Sequence, residues 1–183
     1  MKTGLILVDI QNDYFAGGRM ELLEMQQAGL KAGELLSVFR QRNWPTVHIQ
    51  HIAAQKGATF FLPETDGVVL HDSIEPQGDE LVIQKHYPNS FRETSLLQEL
   101  ERQDVKKLVI CGAMSHMCID ATTRAAFDHY FDCTVVQDAC ATRDLEFGGK
   151  TIAAADVHGS FMAALGSAYA RVISIEEFSR EAE

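Results

Sequence analysis

The sequence predicts a three-layer α/β/α sandwich around a six-stranded parallel sheet. Three observations carry that prediction: six short apolar runs rich in β-formers, amphipathic helical patterns between them, and the absence of any repeat, low-complexity tract or linker. Several of the runs are apolar on both faces, as strands must be when helices cover both sides of a sheet. Alternating β and α segments close most simply as parallel strands joined by helical crossovers. With 183 residues, 46% of them hydrophobic, the chain suits one domain spanning 1–183.

The strands are expected at 4–9, 45–50, 80–85, 107–112, 133–137 and 171–175. A helix between the first two puts Leu22, Met25, Ala28, Ala32, Leu35, Leu36 and Phe39 on one stripe and stops before Pro45, whose ring forbids continuation. A second, over 94–103, has Thr94 as its N-cap candidate and Leu96, Leu97 and Leu100 facing inward. A third, over 119–130, buries Ile119, Thr123, Ala126, Phe127 and Tyr130 and exposes Asp120, Arg124 and Asp128 at i, i+4 spacing. The Gly148-Gly149 pair reads as a turn before a last helix over 149–165. Segment 51–78 breaks the alternation; so long a loop in a compact domain usually walls a site or an interface.

The net charge is -10, from 16 Lys+Arg against 26 Asp+Glu, and no basic stretch interrupts it. Nucleic acid is therefore an unexpected partner, since phosphate binding needs clustered positive charge. The opening residues are too few for a secretory h-region and no apolar run reaches membrane-spanning length, so a cytoplasmic protein without membrane contact is expected. The cysteines are Cys111, Cys118, Cys133 and Cys140, none in a CxxC pair, which argues against a zinc ribbon or thioredoxin-type site. Cys111 and Cys133 lie within apolar runs and read as small buried hydrophobes. No GxGxxG or P-loop is present, and no cofactor is expected.

Chemistry collects where strands end. Cys118 follows the fourth apolar run and precedes a helix, in the field of aligned N–H groups that favours thiolate over thiol. Asp9 ends the first run and points a carboxylate at the crevice where open parallel sheets bind ligands. Lys85 ends the third and would steady both charges. Asp13 reads as a turn or helix cap, Arg124 as the partner of Asp120 or Asp128. Tyr14, Phe60, Phe61, Tyr87, His116 and Met117 are the candidates for a substrate pocket; for Phe60 and Phe61 core packing is an equal reading.

Four ordered motifs carry a resemblance: Leu7-Val-Asp-Ile-Gln-Asn-Asp13, Lys85-His-Tyr-Pro-Asn-Ser-Phe91, Gly112-Ala-Met-Ser-His-Met-Cys-Ile119 and Thr122-Thr-Arg-Ala-Ala126. The chain resembles the isochorismatase-like cysteine hydrolases, which include nicotinamidases, N-carbamoylsarcosine amidases and ureidoacrylate amidases. The resemblance implies a sheet of order 3-2-1-4-5-6 and a catalytic triad of Asp9, Lys85 and Cys118. It implies a cis peptide at Ala113–Met114, with the N–H groups of Met114 and Cys118 forming an oxyanion hole. It further implies a homodimer or homotetramer acting on a small molecule. In that sheet order Lys85 starts two strands from Asp9, and its reach does not follow from the sequence.

Metal-dependent nicotinamidases carry an Asp-x-His pattern after the second strand, where this chain reads Gln50-His51-Ile52. His48, His51, His71 and His86 are accordingly read as pocket or hydrogen-bonding residues, and no metal is expected. The implied function is a cysteine hydrolase that cleaves a C–N bond of a small amide or carbamoyl compound through a Cys118 thioester. The alternatives are a vinyl-ether hydrolase of the isochorismatase type, or a non-catalytic binding relative of the same fold.

Overall fold

Each of the six apolar runs forms a strand in the computed structural model, which describes residues 2–182. The ends of the expected 1–183 domain, Met1 and Glu183, lie outside the described residues. In chain order the elements are β1 (Lys2–Val8), α1 (Met25–Gln41), β2 (Thr46–His51), β3 (Leu81–Lys85), α2 (Leu96–Arg102), β4 (Val105–Ala113), α3 (Asp120–Asp128), β5 (Asp132–Ala141), β6 (Leu145–Phe147), β7 (Lys150–Ile152), α4 (Ala154–Ala168), β8 (Arg171–Ile173) and α5 (Ile175–Ala182).

The main sheet has six strands in the order β3-β2-β1-β4-β5-β8, all paired in parallel. The implied order 3-2-1-4-5-6 therefore holds, with β8 as the sheet's sixth strand. Leu5, Ile6, Leu7 and Val8 of β1 are fully buried, as a central strand covered on both faces requires. The α1 stripe buries Met25, Ala28, Ala32, Leu35, Leu36 and Phe39; truncating one such leucine to alanine typically costs about 2–5 kcal/mol. Leu22 is buried too, but ahead of the helix. In α2, Leu96 and Leu100 are buried and Leu97 packs against the core.

Four local expectations need correction, the first being the cap of α2: the helix starts at Leu96 with Ser95, not Thr94, at its N-cap. Phe127 and Tyr130 are exposed, Tyr130 by 95%: α3 ends at Asp128, and Tyr130 has φ 66°, which turns it off the helical stripe. Gly148 and Gly149 do form a turn, but inside a hairpin of β6 and β7, so α4 begins at Ala154 rather than at 149. The last strand stops at Ile173 and α5 follows, a short helix the sequence reading did not separate from it. No helix among the described residues is long and apolar enough to cross a membrane.

Candidate active site

The chain bends sharply where β1 ends. Asp9 has φ 52°, a left-handed conformation uncommon outside glycine, while its N–H still bonds the Ile49 carbonyl at 3.1 Å. The neighbouring β4 reaches Gly112 with φ +124°, and a Cβ there would fall inside the Val8 carbonyl. The glycine lets β4 press against the residue that precedes Asp9.

Beyond β4, the Ala113–Met114 peptide is cis. One π-helical turn, Ser115–Ile119, then carries Cys118 into α3, with the Ile119 N–H bonding the Met114 carbonyl five residues back. Ser115 Oγ fixes this turn by bonding the Ala141 carbonyl at 3.3 Å and His158 Nδ1 at 2.8 Å. On the other side Thr122 Oγ1 accepts the Ser90 N–H at 3.1 Å and meets Ser90 Oγ at 2.8 Å, tying the segment after Lys85 to α3.

These elements bring Asp9, Lys85 and Cys118 together. Lys85 Nζ stands 2.7 Å from Asp9 Oδ2 and donates to Cys118 Sγ at 3.2 Å, to the Tyr87 carbonyl at 3.0 Å and to His51 Nδ1 at 3.1 Å. Two strand spacings, about 10 Å, separate β3 from β1. Lys85 crosses that gap over the end of β2, where it is 1% exposed and lies against His51. His51 is itself clamped: Gln11 Oε1 accepts its N–H at 2.7 Å, and Gln11 Nε2 donates to its carbonyl at 2.9 Å and to that of Val68 at 2.7 Å.

The electrostatics correct one expectation. Cys118 sits in a π-turn rather than at a regular helix start, and it is only 5% exposed. Burial pushes its thiol above the ordinary cysteine range, the Asp9 carboxylate pushes the same way, and Lys85 alone pulls it down. The thiolate expected from helix position alone is therefore disfavoured by burial and by the Asp9 carboxylate. Burial also opposes the Lys85 ammonium, but Asp9 first, and Cys118 after it, prevail and raise its proton affinity. Burial lowers His51 to about 4, so its ring is neutral at pH 7.

Asp9, His51 and Cys118 each offer a ligand atom, all within 4.8 Å of one another, a grouping that could hold a metal ion. The Lys85 ammonium contacts all three ligand atoms and so already stands as the cation inside that donor set. The other histidines have separate partners: His48 faces Glu80 at 3.0 Å, His71 stacks on Phe15 with centroids 3.5 Å apart, and His86 bonds the Ile52 carbonyl at 2.7 Å.

Of the pocket candidates, Tyr14 is buried and close enough to Cys118 and Asp9 that, after burial itself, their charges raise its phenol. Phe61 is a core residue, packed on Tyr14 with centroids 4.6 Å apart, and Phe60 is half-buried beside it. Both line a cavity of about 290 Å³ that also touches His51, Ala53 and Ala58. Met117 is 41% exposed, and the His116 ring meets Thr142 Oγ1 at 2.6 Å. Tyr87 contributes its carbonyl, while its ring lies 3.6 Å under the Arg92 guanidinium. Asp13 ties loops rather than capping a helix: its carboxylate accepts the N–H groups of Arg19 at 3.1 Å and Phe61 at 2.6 Å. Arg124 pairs with Asp120 at 2.9 Å, as expected. The sequence reading missed Gln11, Ser90, Thr122 and Arg143. Arg143 follows Thr142, the partner of His116, and its charge is felt by both Tyr14 and His116.

Comparison with known proteins follows the same lines. The chain is 49% identical over 178 residues to the uncharacterized isochorismatase family protein YddQ of Bacillus subtilis, covering 97% of this chain and 99% of that one. It superposes on the crystal structure of an isochorismatase-type hydrolase from Oleispira antarctica with TM-score 0.93 and 49% identity, over 97% of this chain and 95% of the other. A streptothricin hydrolase of Streptomyces noursei is 30% identical over 163 residues, 89% of this chain and 56% of that protein. The family model described as the isochorismatase domain matches residues 3–176, and the chain therefore belongs to the isochorismatase family of hydrolases.

Proposed function

We propose that the protein is a cysteine hydrolase that cleaves a C–N bond in a small amide or carbamoyl compound, with Cys118 as nucleophile, Asp9 as base and acid, and Lys85 as their electrostatic partner. One observation carries this reading: a single ammonium lies within 2.7 Å of a buried carboxylate and 3.2 Å of a buried thiol, at the C-terminal ends of the strands. The kinship to a streptothricin hydrolase and to a ureidoacrylate amidohydrolase of Acinetobacter baylyi supports it, the latter at 23% identity.

The thiol proton passes to Asp9 as the sulfur attacks the carbonyl carbon. Lys85 offsets the negative charge shared between sulfur and carboxylate. The N–H groups of Met114 and Cys118 take the carbonyl oxygen as it becomes an oxyanion; one such donor is typically worth about 3–4 kcal/mol of barrier. The C–N bond breaks, and Asp9 returns its proton to the leaving nitrogen. Water then gives a proton to Asp9 and hydroxide to the thioester carbon, the C–S bond breaks, and the sulfur recovers the proton. Because burial and the Asp9 carboxylate favour the thiol, this reading places deprotonation in the attack itself rather than in a standing thiolate.

Arg143 is exposed in a chain of net charge -10 and its charge acts on Tyr14 and His116, and the reading includes a role for it in holding an anionic group of the substrate. Arg143→Met is expected to raise KM about tenfold or more for amides that bear a carboxylate and to leave neutral amides little changed. The reading also includes a homodimer or homotetramer.

The deciding experiment is a screen of amides, ureides and carbamoyl compounds for ammonia release, with Cys118→Ala as control. Turnover that vanishes in Cys118→Ala supports the proposal. Conversion of isochorismate that survives Cys118→Ala would replace it with vinyl-ether hydrolysis, a reaction that needs no thiol.

A further inference from the structure

The Lys85 ammonium has three N–H bonds to give. The structure supplies three aligned acceptors for them: His51 Nδ1, the Tyr87 carbonyl and Cys118 Sγ. Asp9 Oδ2 is nearer than any of these at 2.7 Å, yet it lies off the hydrogen-bond axis, and neither Asp9 oxygen has an aligned donor among the described residues. The ammonium thus directs its three N–H bonds at the other acceptors and meets Asp9 mainly as a charge.

His51 makes this division possible. Gln11 fixes its backbone on both sides, and its ring packs against Phe61 with centroids 5.8 Å apart. The charged and titratable groups facing the ring are Asp9, Lys85, Cys118 and His86. Burial keeps the imidazole neutral down to about pH 4, with Asp9 opposing and Lys85 and His86 assisting. A protonated Nδ1 would point donor to donor at Nζ, so the geometry assigns the lone pair to Nδ1 and the proton to Nε2.

We propose that His51 is a positioning residue: by accepting one N–H of Lys85 it keeps that proton off Asp9 and leaves the carboxylate free to act as the base. This inference rests on the roles given to Asp9, Lys85 and Cys118 under the proposed function. Without His51, the freed N–H turns onto the carboxylate 2.7 Å away. A carboxylate that accepts an aligned ammonium N–H is a poorer proton acceptor and holds its charge to lower pH.

The test uses 4-nitrophenyl acetate as probe, reading the acylation burst and the steady deacylation rate against pH. His51→Asn places an acceptor oxygen where Nδ1 stands. His51→Gln carries its amide to the position of Nε2, and His51→Leu has no acceptor. Expected is a loss of about tenfold or more in turnover for Leu and Gln at similar KM, with the acid limb of the profile moved to lower pH. His51→Asn keeps wild-type turnover within about threefold and the wild-type limb. Wild-type behaviour in His51→Leu overturns the inference, as does an equal loss in all three variants at an unmoved limb, which would mark a packing role. Mass spectrometry of the acylated chain separates the two levels. If the wild-type enzyme carries no acyl group on Cys118, the hydrolase roles fall and this inference with them. If it does, and the rates ignore His51, only the inference falls.

Discussion

At the scale of the residue, the site is a question of where three charges rest. Burial and the Asp9 carboxylate both raise the Cys118 thiol, and only the Lys85 ammonium lowers it. Alkylation of Cys118 by iodoacetamide, followed by peptide mass spectrometry across pH, should therefore show an apparent pKa above the free-thiol value of about 8.5. Lys85→Met should raise it further by removing the single opposing charge; a fall in that variant would refute this account. Asp9, Lys85 and Cys118 were legible in the sequence because each stands just past an apolar run, and a residue there is delivered to the crevice by the sheet itself. Gln11 and His51 were not legible in their roles. Their effect comes from a clamp between residues 40 positions apart, and no local pattern encodes which side chain that clamp will face. Ser90 and Thr122 are a similar case at a separation of 32. The sequence also argued for a thiolate from helix position alone, since it could not weigh burial.

At the scale of the element, the strand-to-helix junction after β4 decides the geometry. The β4–β5 register shifts between Ile110 and Gly112, and Gly112 takes a backbone angle that only glycine adopts freely, hard against Val8. Gly112→Ala should destabilise the fold by at least about 3 kcal/mol, from the left-handed strain and the clash together. Chemical denaturation would read that loss directly, and a variant of unchanged stability would contradict the contact described. Long apolar elements were readable: the strand runs, the α1 stripe and its stop before Pro45 all follow from periodicity and proline chemistry. The π-turn over Ser115–Ile119 was not, because one extra residue in a turn leaves no mark on a hydrophobic pattern. The β6–β7 hairpin was missed for a related reason. Its strands have three residues each, too few to show alternation, and Phe147 at the turn is 80% exposed.

For the whole molecule, buried histidines set the response to acid. Folded His51 takes up a proton near pH 4, whereas an unfolded chain does so near 6.5; burial lowers His48 in the same direction. Between those values the unfolded state binds more protons, so stability falls as pH drops from about 6.5 to about 4, by on the order of 3 kcal/mol for His51. Glu80, whose burial is outweighed by Arg40 and which is held near about 2, adds a further loss below pH 4.5. Urea midpoints at neutral and mildly acidic pH should record the decline, and a flat series would show these groups to be solvated. The sheet order has another consequence. β3 is an outer strand, hydrogen-bonded through five residue pairs to β2 alone, and it ends in Lys85. Sheet margins fray at lower free energy than centres. The margin here holds the one cation the chemistry needs, so under rising urea turnover should be extinguished while the far-ultraviolet dichroism is still that of the intact protein.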